Sequence, residues 1–433
     1  MKIIQLLGTI EGYGITRYII ELNAALKMVG HNVEVMYFNN NLKSTNNTQN
    51  IPDLICMDYG QEMIDRLNSA DAVLIHTLIN KKASDEHKKN FYHLAQDLTK
   101  PITAIFCNDH NSTAGYITFV NEFTGGEDGL DFVKNIDKFI TFSPLNPNFQ
   151  KILKDYPYLI HKYVHLQHPY RFTESINVEF EKKYKRITYL GRFSLLKDPM
   201  LLMRHREQFI ANGYQLEMRG LDRSPAVAFT PGLIYEFHDD GSRTYSPLTK
   251  ELILKKNINA YSKLYGEYAP DFVHHIDREL DKVYLFGRYK RDEGLEAVSY
   301  SQFGCNFNHN RNPLRLGNNI EYSVAEVIDA GTIPLLNYTT MENCRLYDEN
   351  GKITDERAID HSCGICFMKD GSNFDDALAQ LNKLSGNKDL YNKYRHDCLE
   401  FYKKLYDPKM VATRLVRDLM STDNSEALSE FKI

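Results

Sequence analysis

A chain of 433 residues is long for one hydrophobic core and suits two or three domains. With 42% hydrophobic and 25% charged residues it is neither disordered nor fibrous, and no apolar run approaches the length of a membrane span. A net charge of -5 argues against indiscriminate nucleic-acid binding but leaves room for a locally basic groove.

The chain opens as a β-α-β unit. An apolar strand from Lys2 to Leu7 leads into a glycine-bearing loop, Gly8 to Gly14, and an amphipathic helix from Ile15 to Met28. Gly30-His31-Asn32 then turns into a second strand, Val33 to Phe38. Asn39 to Asn50, rich in Asn, Ser and Thr, reads as a mobile surface loop. Further parallel strands are predicted at Ala72 to His76, Ile102 to Cys107 and Lys138 to Ser143. The pattern breaks between residues 167 and 185. A second alternating series follows, with strands at Arg186 to Leu190, Tyr214 to Arg219, Lys282 to Phe286, Phe303 to Phe307 and Thr332 to Leu336. Beyond Asp375 the chain is helical, and the tail from Ser421 to Ile433 reads as frayed. Alternation of this kind predicts an α/β protein of two doubly wound, Rossmann-like domains facing across a cleft. The expected division is 1–170 and 171–400, with the helices from about residue 400 returning to the first domain. Ligands are expected at the carboxyl ends of the strands.

Seven cysteines scattered along the chain predict reduced thiols. Cys363-Gly-Ile-Cys366, just after His361, has half of a zinc-knuckle spacing without a second half, so structural cysteines on a short strand are expected and no metal. The N-terminus lacks a signal-peptide layout, and a soluble, cytoplasmic protein with no membrane partner is the expectation.

The most informative string is Asn319-Ile-Glu-Tyr-Ser-Val-Ala-Glu-Val-Ile-Asp-Ala-Gly-Thr-Ile-Pro334. It reads as a helix with Glu321 and Glu326 near its start, closed by Gly331 in the left-handed cap position and running into a buried strand. Alone, it fits an ordinary helix-turn-strand unit with a solvated glutamate. Gly12-Tyr-Gly14, between a strand and a helix, stands where a phosphate meets free backbone amides. A purely structural tight turn fits equally. Arg17 replaces the third glycine of a dinucleotide fingerprint, and the second strand ends in Asn39 rather than an acid, which argues against a dehydrogenase.

Three more strings follow strands. In Leu190-Gly-Arg-Phe-Ser-Leu-Leu-Lys197, Gly191 lets the backbone approach a ligand, and Arg192 and Lys197 are spaced to converge on one diphosphate without a metal. In Cys107-Asn-Asp-His-Asn-Ser112, Asp109 and His110 stand where an acid and an imidazole orient or deprotonate a hydroxyl. An aspartate capping the next helix is an equal reading. Met218-Arg-Gly-Leu-Asp-Arg-Ser-Pro-Ala226 puts Arg223 beside an N-cap serine, Ser224, with proline at the first helical position.

Taken together, these strings resemble the DNA α-glucosyltransferase family of T-even bacteriophages, whose members add sugar to 5-hydroxymethylcytosine. The family pattern E-G-x-G-[VI]-T-[KR] matches Glu11 to Arg17, and its D-H pair matches Asp109-His110. Its G-L-[ED]-R-S-P-A matches Gly220 to Ala226, and its [LI]-E-Y-[TS]-x-x-E-x-x-x-x-G-T-I-P matches Ile320 to Pro334. The resemblance implies a GT-B fold, a UDP-sugar donor (UDP-glucose foremost) held by the C-terminal domain, and transfer with retention of anomeric configuration. It implies that Glu326 holds the ribose, and that Arg192 and Lys197 hold the diphosphate. Asp109 and His110 would lie beside the sugar and the acceptor hydroxyl. Gly12, Gly14, Gly191, Arg223, Ser224 and Glu321 would belong to the donor side of the cleft. The partner it implies is double-stranded DNA containing 5-hydroxymethylcytosine.

The departures matter too. Asn318 stands where broader retaining GT-B enzymes carry a second glutamate, so Glu321 does not inherit that role. Asn108 replaces the histidine before the D-H pair, and Pro231 to Asp281 shows little correspondence. The sugar therefore stays open between glucose and a pentose such as arabinose. A transferase acting on a polysaccharide or lipid carrier, and a nucleotide-binding or DNA-packaging protein without catalysis, remain as other classes. Three basic strips are candidates for DNA phosphates: Lys151, Lys154, Lys162 and Arg171; Lys182, Lys183, Lys185 and Arg186; and Arg288, Lys290 and Arg291.

Overall fold

Lys2–Leu7 (β1) buries five consecutive residues, as a strand covered on both faces must. It is an interior strand of an all-parallel sheet whose other strands are Asn32–Asn39 (β2), Ile55–Asp58 (β3), Ala72–His76 (β4), Ile102–Cys107 (β5), Lys138–Thr141 (β6) and Tyr163–His165 (β7). Their order is β3-β2-β1-β4-β5-β6-β7. The computed structural model describes residues 1–7, 13–39, 51–76, 96–107, 136–141, 157–174, 178–191, 200–219, 227–230, 233–237, 243–247, 283–286, 291–305, 321–348 and 353–422, with a few isolated positions besides. The loop reading for Asn39 to Asn50 and the frayed tail fall almost wholly outside them.

Alternation along the strands separates two faces. Ile3, Leu74, Ala104 and Phe106 pack against Tyr18, Leu22, Ala25 and Leu26 of Tyr13–Met28 (α1). Ile4, Leu6, Val73, Ile75 and Ile105 pack on the other face with Met63 and Leu67 of Gln61–Asn68 (α2).

A second parallel sheet is built from Tyr184–Leu190 (β8), Gln215–Arg219 (β9), Val283–Phe286 (β13), Ser301–Cys305 (β14), Ile333–Asn337 (β15) and Ile365–Phe367 (β18). Their order is β13-β9-β8-β14-β15-β18. Two antiparallel additions were not foreseen: Val227–Thr230, Leu233–Phe237 and Arg243–Pro247 (β10 to β12), and the pair Arg345–Tyr347 and Ile353–Arg357 (β16 and β17). The helix expected to open at Ser224 and Pro225 is thereby corrected: Val227 already pairs with Glu236 in a strand, and pairing along the chain outweighs the local capping signal. β14 begins two residues before the expected Phe303, because Ser301 and Gln302 are buried although polar. The Ser301 hydroxyl shares a hydrogen bond of 2.7 Å with Thr188 Oγ1, so the polar pair is satisfied inside the sheet.

The helix predicted around Glu326 is Tyr322–Asp329, and its end is a Schellman motif. Gly331 has φ +71; its N–H donates to Ile328 O at 2.9 Å, and Thr332 N–H donates to Val327 O at 3.2 Å. The chain finishes in three helices, Phe374–Ser385, Lys388–Leu405 and Pro408–Met420. Asp407 caps the last by accepting from the N–H groups of Lys409 and Met410, with Pro408 at the first helical position. Val411, Ala412, Leu415 and Leu419 of this helix share one buried cluster with the α1 face of the first sheet. Its carboxyl end is held by Lys138 of β6, whose Nζ donates to Ser421 O at 2.6 Å. The same buried cluster takes in Tyr322, Val324, Ala325, Ile328 and Leu336 of the second unit. Among the described residues, no helix is long and apolar enough to cross a membrane.

Candidate active site

In both sheets each string of interest follows in sequence the carboxyl end of a parallel strand, the usual ligand-binding edge of such sheets. β1 delivers the Gly12 loop, β5 the Asp109-His110 string, β8 the Arg192 to Lys197 string, and β9 the Arg223-Ser224 string. Gly12, Asp109, His110, Arg192, Lys197, Arg223 and Ser224 themselves lie outside the described residues. Gly14 is the second residue of α1, at the positive end of its dipole.

Gly191 directly follows β8, and its N–H donates to Arg219 O at the end of β9, at 3.1 Å. A Cβ there would meet the Tyr189 hydroxyl at 3.0 Å, so the backbone turns out of the sheet where a side chain would be crowded. Glu321 occupies the N-cap of the 322–329 helix in extended conformation, without a capping bond from its side chain. Glu326, one turn further, is 8% exposed. A buried carboxylate in the second turn of a helix is not the solvated glutamate of the ordinary reading.

A buried polar layer lies on the α1 face at the carboxyl ends of β1, β4 and β5, and the sequence reading did not single it out. His76 Nε2 donates to Gln5 Oε1 at 3.0 Å, and its ring stacks on Phe106 at 4.4 Å with 7° between planes. Tyr18 packs edge-on against both rings. Phe106 is three residues before Asp109, so this stack supports the strand end that leads into the acid. The only signal in the sequence was one glutamine and one histidine at apolar-face positions.

Burial pushes His76 down to about 3, from an ordinary 6.5. The ring is neutral in the folded protein, while the unfolded chain takes up a proton below pH 6.5. Stability from this group is complete above pH 6.5 and is lost as pH falls towards 3. Between pH 7.5 and pH 5 the loss is about 2 kcal/mol. Urea unfolding of wild type and His76→Gln at both pH values should show the variant losing less stability on acidification; identical losses would rule the assignment out.

The basic strips are largely engaged within the protein where they are described. Arg171 pairs with Glu21 at 3.0 Å, and Lys162 Nζ donates to Ile136 O at 2.7 Å. Lys182 pairs with Glu179, Arg186 with Glu217, and Lys185 lies over the Tyr214 ring. Lys183 is buried, and burial lowers its ammonium to about 7. It donates to Ser299 O at the end of the 291–299 helix, at 2.5 Å. Its role is to cap that helix inside the fold rather than to meet phosphates. Lys151, Lys154, Arg288 and Lys290 lie outside the described residues. Cys363 and Cys366 are free thiols 3.9 Å apart, and among the described residues no three His, Cys, Asp or Glu side chains gather to hold a metal ion.

Over 416 residues the chain is 22% identical to the DNA alpha-glucosyltransferase of Enterobacteria phage T4, covering 90% of this chain and 92% of that one. A solved alpha-glucosyltransferase in complex with UDP-glucose and DNA containing an abasic site superposes with a TM-score of 0.71 at 17% identity, over 97% of this chain and 99% of the other. The fold is GT-B. The likeness reaches beyond phages: Anabaena HepE in complex with UDP and glucose matches with a TM-score of 0.55 at 9% identity, over 97% of this chain and 99% of its own. No family model matches the chain. The resemblance read from the motifs is borne out along nearly the whole length.

Proposed function

We propose that this chain is a UDP-sugar-dependent DNA glycosyltransferase that moves glucose to the hydroxymethyl oxygen of 5-hydroxymethylcytosine with retention of configuration. It would act in the cytoplasm of an infected cell and shield phage DNA from host nucleases. The observation that carries the reading is Glu326, buried on a helix closed by Gly331 and running into a parallel strand, as the phage pattern requires. The T4 relative is by name a DNA alpha-glucosyltransferase, and a neighbour of the same fold was solved with UDP-glucose and DNA.

In this reading residues 1–170 carry the acceptor side and 171–400 the donor side, with the helices after about 400 returning to the first. Glu326 holds the ribose hydroxyls, and Gly191 lets the chain approach the diphosphate that Arg192 and Lys197 neutralise. Glu321, Arg223 and Ser224 complete the donor side, and Gly12 and Gly14 meet the donor from the first domain across the cleft. The bond from the anomeric carbon to the diphosphate oxygen breaks and its electron pair leaves with UDP. A bond to the hydroxymethyl oxygen forms on the face that the diphosphate leaves, as that hydroxyl passes its proton to the Asp109 carboxylate or to the departing diphosphate oxygen. Asp109, with His110 beside it, acts on this hydroxyl or on the positive charge developing on the sugar.

The test is mass spectrometry of nucleosides after incubating the protein with hydroxymethylated duplex DNA and a panel of UDP-sugars. A hexose on 5-hydroxymethylcytosine, formed from UDP-glucose, is the expected product. A pentose adduct alone would replace glucose as the donor sugar. Transfer only to a saccharide or lipid acceptor would end the DNA reading.

A further inference from the structure

The segment that joins the two sheets is held between two buried carboxylates, one on each helix flanking the proposed donor site. On α1, Glu21 is fully buried. Its Oε2 accepts from the Arg171 backbone N–H at 3.1 Å and from Arg171 Nε at 3.0 Å, while its Oε1 pairs with Arg17 at 2.7 Å. On the 322–329 helix, Asp329 is 6% exposed and grips the next residues of the same segment. It accepts from the backbone N–H groups of Thr173 at 2.7 Å and Glu174 at 2.9 Å. It also accepts from Thr173 Oγ1 and Tyr170 Oη, each at 3.1 Å. No cation pairs with Asp329 among the described residues; amides and hydroxyls alone balance its charge.

The grip is firm enough to hold an unfavourable backbone. Glu174 has φ +49, a left-handed conformation that is uncommon for a residue with a Cβ. Its N–H is taken by Asp329, and its carboxylate pairs with Lys403 at 2.7 Å. The first turn of the 322–329 helix is fastened to the same segment, since Tyr322 Oη donates to Pro169 O at 3.0 Å. Tyr322, Glu326 and Asp329 recur at i, i+4 and i+7, one stripe of the helix. Glu326 therefore lies between two points at which the linker holds its helix.

We propose that Asp329 is a positioning residue for donor binding: by gripping Tyr170, Thr173 and Glu174 it sets the rotation of the helix and so the place of the Glu326 carboxylate. The proposal rests on the reading of Glu326 as the ribose-binding residue. A roll of about 20° on a helix of about 5 Å outer radius moves a side-chain tip by nearly 2 Å, enough to break a hydrogen bond. Asparagine at 329 keeps the shape and can still accept from the two amides, but its Nδ2 can only donate to the Thr173 and Tyr170 hydroxyls, so two bonds reverse and all four lose the charge that strengthens them.

The experiment is calorimetric titration of the full chain with UDP and with 2′,3′-dideoxy-UDP, together with thermal melting. Four proteins are compared: wild type, Glu326→Gln, Asp329→Asn and Tyr170→Phe. Wild type is expected to prefer UDP, and Glu326→Gln to lose that preference. Asp329→Asn should reduce the preference about tenfold through weaker UDP binding alone, with dideoxy-UDP bound as before. Tyr170→Phe, which removes one hydroxyl and keeps the ring, should shift it the same way by a few-fold with a melting temperature close to wild type. If the Asp329 and Tyr170 variants weaken both nucleotides equally, or melt lower with the preference intact, Asp329 is merely structural and the proposal is overturned. If wild type binds the two nucleotides equally, or Glu326→Gln keeps the preference, it is the ribose role of Glu326 that fails, and the proposal falls with that premise.

Discussion

Asp109→Asn is expected to cut sugar transfer by about a thousandfold while duplex affinity stays at the wild-type level. The residue follows Cys107, the last residue of β5, by two positions, at the carboxyl edge of the first sheet. Asparagine fills the same space and still accepts a hydrogen bond, but it neither takes up a proton nor carries negative charge beside a developing sugar cation. The loss should therefore fall on kcat. DNA affinity depends on phosphate contacts and counterion release, so its fall with salt should keep the same slope in the variant. Turnover with UDP-glucose and hydroxymethylated duplex, alongside fluorescence anisotropy over a salt series, measures both. Unmodified cytosine duplex should bind comparably and accept no sugar. An Asp109→Asn protein that transfers at the wild-type rate, or that loses DNA binding and transfer together, would remove Asp109 from the reacting centre.

Arg192→Ala is expected to lower kcat by a factor of about 100 to 1,000, a barrier increase on the order of 3 kcal/mol. The position follows Gly191, where the chain turns out of the end of β8 next to Arg219 O. In the proposed reading, its guanidinium meets the negative charge that grows on the departing diphosphate, a charge far larger in the transition state than in bound donor. With Lys197 it supplies this stabilisation from the protein, so turnover should persist in EDTA. Complete loss in EDTA with recovery in Mg²⁺ or Mn²⁺ would show that a metal stabilises the leaving group. A fully active Arg192→Ala enzyme would contradict the assignment directly.

What the sequence by itself determined is what short-range physics encodes. β1, β4 and β5 were readable because a strand covered on both faces is a mostly apolar run, and α1 because its apolar residues recur at helical spacing. The Gly331 cap was readable because a left-handed turn between a helix and a strand selects glycine locally. The two doubly wound domains followed from the alternation of strands and helices, whereas the GT-B fold was what the resemblance of the motif strings to the phage family implied.

The tertiary structure decided whatever depends on residues far apart in the chain. Asp329 meets Thr173 across 156 positions, Glu21 meets Arg171 across 150, and Lys138 caps the last helix across 283. No periodicity announces such pairs, because each partner alone looks like a solvated surface residue. Lys183 read as part of a basic strip until three oxygens, Ser299 O, Ser301 O and Thr332 Oγ1, proved to surround it. The polar layer of Gln5 and His76, and the buried Ser301 that displaced the start of β14, were hidden for the converse reason. A polar residue is tolerated inside a sheet where a distant neighbour bonds it, as Thr188 bonds Ser301, and only the folded chain brings that neighbour near.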